Sequence, residues 1–170
     1  MIKDLAKFKK VHFIGIGGIG MSAIASMLKL SGVEVSGSDI ENSHTIEKLE
    51  ENGIKVILNQ RSENISNDVD LVIYTLAIPD TNPEFVKAKE LVIEMMTYPQ
   101  ALKAISSNKK SIIVTGTHGK TTTTSILAKC LIDNDFDPTV VVGSFMKEQN
   151  SNFVIGKSDY FLAEGCEYKK

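Results

Sequence analysis

Short apolar runs alternate along the chain with segments in which apolar side chains recur every three or four positions. This is the pattern of buried parallel strands joined by helices. Val11–Ile14 reads as a strand that ends in Gly15-Ile16-Gly17-Gly18-Ile19-Gly20, and a helix follows with Ile19, Ala23, Met27 and Leu30 on one face. Ser31-Gly32 stops that helix, with the glycine placed for the left-handed C-terminal position. Val33–Ser36 is the second strand, running out at Ser38-Asp39. A helix spans Thr45–Glu51, closed by Asn52-Gly53, and strands follow at Ile54–Leu58 and Asp70–Thr75. Asn82-Pro83-Glu84 is a helix start, with Asn82 as cap and Pro83 in the first helical position. Leu91–Glu94 reads as a fifth strand and Pro99–Ile105 as a helix.

Ser106 to Lys110 is polar and reads as a linker, after which the cycle restarts. Ser111–Thr115 is a strand, Gly116–Thr122 a turn, and Thr123–Asn134 a helix with Ile126, Leu127, Cys130 and Leu131 facing inward. Thr139–Val142 and Tyr160–Ala163 read as further strands. The fold class is therefore α/β. A Rossmann-like doubly wound parallel sheet occupies residues 1–107, and the start of a P-loop α/β domain, with at most three strands, occupies 108–170. The second part leaves much of its sheet uncovered, which reads as a truncated chain whose exposed edge could drive self-association.

Composition narrows the function classes. The 170 residues carry 19 Lys+Arg against 21 Asp+Glu, a net charge of -2, and no basic cluster exceeds a few residues, so no nucleic-acid partner is expected. No apolar run approaches the roughly eighteen residues of a membrane span. A chain of this size buries about 70% of its unfolded surface and needs no disulfide or metal staple. Cys130 and Cys166 read as reduced thiols in a cytoplasmic protein. Lys7, Lys9 and Lys10 ahead of Val11–Leu30 imitate a secretory leader, but the glycines between Gly15 and Gly20 make a poor hydrophobic helix.

Two loops carry the chemistry. The first is the G-x-G-x-x-G run directly after strand one. Gly15 allows the tight turn, Gly17 lets backbone N–H groups approach a diphosphate, Gly20 lets the helix lie close on the strand, and the helix N-terminus adds partial positive charge. Asp39, nineteen residues after Gly20 at the end of strand two, is placed to accept hydrogen bonds from a nucleoside. The spacing leaves NAD, FAD and a nucleotide sugar open. The second is Thr115-Gly116-Thr117-His118-Gly119-Lys120-Thr121-Thr122, a shortened P-loop with Val114 where the longer form has glycine. Its amides would cradle phosphates, Lys120 would reach the β/γ oxygens, and the Thr121 hydroxyl is placed for Mg²⁺. A dehydrogenase needs only the first loop and a simple ATPase only the second. Together they point to ATP-driven activation of a nucleotide-linked substrate.

The Gly-Thr-His-Gly-Lys-Thr-Thr loop resembles the ATP site of the Mur ligases, which add amino acids to the UDP-linked precursor of peptidoglycan. His12 to Ala25, Val35 to Asp39 and Ala77-Ile-Pro-Asp-Thr-Asn-Pro-Glu84 are similar to the members that join L-alanine to UDP-N-acetylmuramate. The resemblance runs from about Val11 to Tyr168 and covers only part of a three-domain family. It implies L-alanine and UDP-N-acetylmuramate as substrates, ATP and Mg²⁺ as cofactors, and a lactyl acyl phosphate that the amine attacks. It further implies that Gly15, Gly17, Gly18 and Gly20 hold the UDP diphosphate, that Asp39 lies near the uridine, and that Thr75 closes over the same ligand. Gly116, Thr117, His118, Gly119, Lys120, Thr121 and Thr122 would hold ATP, with Lys120 and His118 touching the reacting phosphoryl. Leu162 to Tyr168 is similar to the family's Glu-Ala-Asp-Glu segment, which gives Glu164 a Mg²⁺-binding role beside Thr121 and makes Glu167 an acidic neighbour. Cys166 stands at that segment's aspartate position. On this reading the adenine pocket and amino-acid site lie outside the chain, which would be inactive alone. A recycling ligase that attaches a tripeptide, a non-catalytic nucleotide-binding module and an NAD-dependent dehydrogenase remain as alternatives.

Overall fold

Leu5 and residues 7–146 and 151–165 are described by the structure, a computed structural model. The chain divides between Ile105 and Ser106 into two units. The first contains β1 (Lys10–Ile14), α1 (Ile19–Leu30), β2 (Glu34–Ser38), α2 (His44–Glu51), β3 (Lys55–Ile57), a 3-10 turn (Ser62–Asn64), β4 (Leu71–Tyr74), α3 (Pro83–Glu90) and β5 (Glu94–Thr97), and α4 (Tyr98–Ser106) runs into the boundary. Its five strands are all parallel in the order β3-β2-β1-β4-β5. The chain builds outward from β1 to β3, then returns to add β4 and β5 on the other side. With right-handed crossovers, this reversal sends α1 and α2 to one face and α3 to the other.

Alternation along β1 sorts its side chains between the two faces. Ile14 and Val72 pack with Ile65, Val69, Phe85 and Ala88 beneath α3. Val11 and Phe13, one position out of phase, are fully buried on the α1 side, where every residue from Met21 to Leu28 is also buried. Leu30, expected on the inward face, is exposed in the last turn of α1. Gly32 and Gly53 take φ of +89° and +71° at the helix ends, as expected. The start of β1 is pinned by Asp70, whose Oδ2 accepts the Lys9 and Lys10 N–H groups at 2.8 and 2.9 Å. Beside it, a hydrogen bond from Lys10 Nζ at 2.7 Å, helped by one from Ser66, holds the Asp68 carboxyl down at about 2.

The fifth strand is Glu94–Thr97, three residues later than the apolar run at Leu91 implies. Leu91 is instead the C-cap of α3, its N–H bonded to the Lys87 carbonyl, and Val92 turns the chain at φ +55°. The apolar residues there serve a helix end and a turn before the strand begins.

The second unit holds β6 (Lys110–Val114), α5 (Lys120–Asp133), β7 (Thr139–Met146), β8 (Ser151–Val154) and β9 (Tyr160–Glu164). The strand order is β6-β9-β7-β8, parallel except for β8. This makes four strands rather than at most three. β8 escapes the sequence reading because Ser151-Asn152 gives it a polar start and it pairs as a short antiparallel return of β7. The core of this unit lies between Ala128, Leu127 and Leu131 of α5 and Val140, Val142 and Leu162 of the sheet. The inward face of α5 is set by Thr124 and Ala128, small residues one turn apart. Ile126 and Cys130, expected inside, lie outside this face and are exposed.

Candidate functional site

In a doubly wound sheet, ligands bind beyond the carboxyl ends of the strands, where the strand order reverses. Here the reversal lies between β1 and β4, and the glycine loop, Asp39 and Thr75 all follow strand ends on that edge. Gly15 leaves β1 at φ +81°, and its N–H and that of Ile16 both donate to the Ser38 carbonyl, at 2.9 and 3.0 Å. A Cβ on Gly15 would stand 2.5 Å from Thr75 Cγ2, so the absence of a side chain lets Thr75 close on the loop. The Gly17 N–H donates to Asp39 Oδ2 at 2.8 Å, while Asp39 Oδ1 accepts from the Ile40 N–H. The structure thus brings Gly15, Gly17, Asp39 and Thr75 together, with the Gly17 amide engaged by the acid.

The remaining glycines divide by what surrounds them. Gly18 caps α1 in extended conformation with room for a Cβ. Gly20 lies in the first turn of α1. Its missing Cβ leaves space for the Tyr98 ring, whose nearest atoms lie 2.5 Å from where that carbon would be. The close approach belongs to Gly37 in β2, where a Cβ would meet Ile16 Cδ1 at 2.6 Å and the Phe13 carbonyl at 2.8 Å. A glycine inside a strand was the available signal for it.

Beneath this loop lies a buried polar group that the sequence did not reveal. Glu84, wholly buried in the first turn of α3, accepts hydrogen bonds from Ser38 Oγ and Asn64 Nδ2, both at 2.5 Å. His12 in β1 places Nε2 3.7 Å from the same carboxylate and bonds Ser36 Oγ through Nδ1 at 3.0 Å. His44, by contrast, opens α2 on the surface and pairs with Glu47.

In the second unit, the loop after β6 uses Gly116 at φ +147° and Gly119 at φ +75° to enter α5. Lys120 Nζ donates to the Gly116 carbonyl, folding the side chain back over its own loop. Thr121 Oγ1 donates to Glu164 Oε2 at 3.1 Å, and the Gly143 N–H donates to Glu164 Oε1 at 2.8 Å. A Cβ at Gly143 would lie 2.6 Å from Glu164 Oε2, so β7 admits the carboxylate only because that position is glycine. Thr117, His118, Gly119 and Thr122 are exposed. Among the described residues no group of three or more His, Cys, Asp or Glu could hold a metal ion, and the oxygens of Thr121 and Glu164 form a two-member hard donor set. Cys166 and Glu167 lie outside the described residues.

The helix starts differ in how they are capped. α2 is capped by Ser43 and α3 by Asn82, each with a glutamate in the first turn. α1 and α5 begin at glycine with no side-chain cap and no acid in the first turn. At these two starts the helix dipole meets no side-chain cap and no first-turn carboxylate.

Comparison with known proteins agrees with this arrangement. The Mur ligase family catalytic domain matches residues 10–110, and the Mur ligase middle domain matches residues 114–168. The chain is 49% identical over 168 residues to UDP-N-acetylmuramate–L-alanine ligase of Clostridium kluyveri, covering 98% of this chain and 37% of that protein. Against the crystal structure of UDP-N-acetylmuramate–alanine ligase from Thermotoga maritima the TM-score is 0.85 at 35% identity, over 91% of this chain and 37% of that one. Against UDP-N-acetylmuramate:L-alanyl-gamma-D-glutamyl-meso-diaminopimelate ligase from Neisseria meningitides it is 0.87 at 27% identity, over 94% and 53%. The chain thus spans a little over a third of the length of the curated relatives it matches. With both glycine loops inside matched regions that together take in most of its length, the chain belongs to the Mur ligase family.

Proposed function

We propose that this chain is the nucleotide-sugar-binding and phosphate-loop part of an ATP-dependent ligase that joins L-alanine to the lactyl carboxylate of UDP-N-acetylmuramate in the cytoplasm. The first unit, residues 1–107 in the sequence division, binds the UDP-sugar, and residues 108–170 begin the ATP-binding domain. The observation that carries the reading is the pair of uncapped glycine helix starts, α1 and α5, one on each unit. Two anion-ready termini in one chain fit two phosphate-bearing ligands and leave a dehydrogenase reading with one loop unused.

The diphosphate sits at the start of α1 over Gly15, Gly17, Gly18 and Gly20, Asp39 lies near the uridine, and Thr75 closes over the same ligand. ATP lies along Gly116 to Thr122. Lys120 exchanges the Gly116 carbonyl for β/γ oxygens, and exposed His118 faces the same phosphates. Thr121 and Glu164 hold Mg²⁺. When bound, the ion offsets charge on the transferring phosphoryl. The chain's own contribution is positioning, with fixed amides and the Lys120 ammonium placed where negative charge gathers.

Calorimetric titration tests this reading, with UDP-N-acetylmuramate, NAD and ATP–Mg²⁺ run side by side on the 170-residue chain. Saturable binding of the UDP-sugar with none of NAD is expected, and NAD binding alone would overturn it. For the full-length protein, phosphate release that depends on L-alanine is expected. Release that depends on the tripeptide instead would assign the recycling reaction.

A further inference from the structure

The buried carboxylate of Glu84 has no role in its own helix that another residue does not already fill. Asn82 Oδ1 takes the Glu84 and Phe85 N–H groups and so caps α3 without it. A wholly buried carboxylate is costly unless its oxygens are engaged. They are engaged, but by groups outside α3. Oε1 takes Asn64 Nδ2, and Oε2 takes Ser38 Oγ and faces the imidazole edge of His12, whose Nε2 has no hydrogen-bond partner.

Ser38 is the residue through which this buried group meets the glycine loop. It closes β2, its carbonyl accepts both the Gly15 and the Ile16 N–H, and the next residue, Asp39, holds the Gly17 N–H. Three consecutive loop amides are thus engaged by the Ser38-Asp39 corner, and the hydroxyl of that corner is tied to Glu84. We infer that Glu84 is a positioning residue for the nucleotide-sugar loop, fixing Ser38 and through it the course of the loop backbone from Gly15, through Ile16, to Gly17, whose N–H the adjoining Asp39 holds. The inference rests on the proposed reading of that loop as the UDP-sugar site. With those N–H groups spent on the corner, what is fixed is the course of the loop backbone, and a loop already in its bound shape holds a ligand more tightly than one that must be ordered on binding.

The experiment compares Glu84→Gln, Glu84→Leu, Ser38→Ala and the Glu84→Leu/Ser38→Ala double variant in the 170-residue chain. It reads the amide resonances of residues 15–17 without ligand, the dissociation constant for UDP-N-acetylmuramate, and the melting midpoint. Glu84→Gln keeps an acceptor for Ser38 and should leave the three amides near their wild-type positions. Glu84→Leu and Ser38→Ala should each move those amides and weaken binding about tenfold, and the double variant should bind no worse than either single one, because both cut the same link. Unmoved amides in Glu84→Leu with a lowered melting midpoint, or losses that multiply in the double variant, would overturn the assignment. If Glu84→Leu does not fold, Glu84→Gln and Ser38→Ala decide it, and equal amide shifts from both would count against it. Should the wild-type chain bind no UDP-sugar, the reading of the loop fails while the amide shifts still decide whether Glu84 positions it.

Discussion

The two units build their glycine loops alike and bury their surroundings very differently. In the first, the loop leaves a central strand whose Phe13 and Ile14 are wholly buried, with helices on both faces of the sheet. In the second, the loop leaves an edge strand, and α5 buries only Thr124 and Ala128 along fourteen residues. Both loops nevertheless enter their helices through glycine and leave the helix start uncapped. Loop geometry therefore follows from backbone conformation at a few glycines, while stability follows from coverage of the sheet. In the first unit the loop is held by a packed interior. In the second a handful of polar bonds around Thr121, Glu164 and Gly143 do the same work.

Core truncation should break the comparison most sharply. Phe13→Ala, at a fully buried position, should cost about 3–5 kcal/mol by urea denaturation. Ile126→Ala, on the exposed side of α5, should stay within about 0.5 kcal/mol. Comparable losses would show that the exposed face of α5 is covered in solution. Within the first unit, Gly37→Ala should cost about 1–3 kcal/mol because its Cβ meets Ile16 and the Phe13 carbonyl. Gly18→Ala has room for the new carbon and should cost no more than about 1 kcal/mol, the difference between glycine and alanine at a helix N-cap, so a loss larger than that of Gly37→Ala would refute the packing account.

Val92 is 89% exposed at φ +55°, a conformation costly for a β-branched residue. Val92→Gly should raise stability by about 1 kcal/mol, read as a higher denaturation midpoint with an unchanged slope. The smallest effect concerns the Lys10–Asp68 pair. The Asp68 carboxyl is held at about 2, first by the Lys10 hydrogen bond, below its ordinary value of 3.8. A depressed carboxyl stabilises the fold above its unfolded pKa, and that contribution is lost as pH falls toward about 2. Carbon NMR titration of Lys10→Met should show Asp68 moving back toward the ordinary carboxylate range. An unmoved titration would assign the shift to Ser66 instead.

What was legible in the sequence was whatever repeats locally. The strand–loop–helix cycles, the Asn82 cap, the stops at Gly32 and Gly53, and the two glycine loops all depend on neighbours within a few positions. What was not legible depends on partners far along the chain. β5 begins late because α3 uses Leu91 as its cap. α5 turns Thr124 and Ala128 inward because small residues let it approach the sheet, which no count of apolar positions shows. Gly37, Gly143 and the Tyr98 ring over Gly20 are defined by atoms in other elements. Glu84 looked like an ordinary first-turn acid, since only the tertiary fold brings Ser38, Asn64 and His12 around it.

The starts of α1 and α5, which no side chain caps and which are proposed to hold phosphate groups, also bear on how the protein should be handled. A small multivalent anion that completes either terminus binds the folded chain and not the unfolded one, so by mass action it raises the midpoint of unfolding with its concentration. Phosphate and sulfate in a buffer would then act as competitors as well as salts. Dissociation constants for a phosphorylated ligand would come out weaker in them than in a buffer of monovalent organic ions at equal ionic strength.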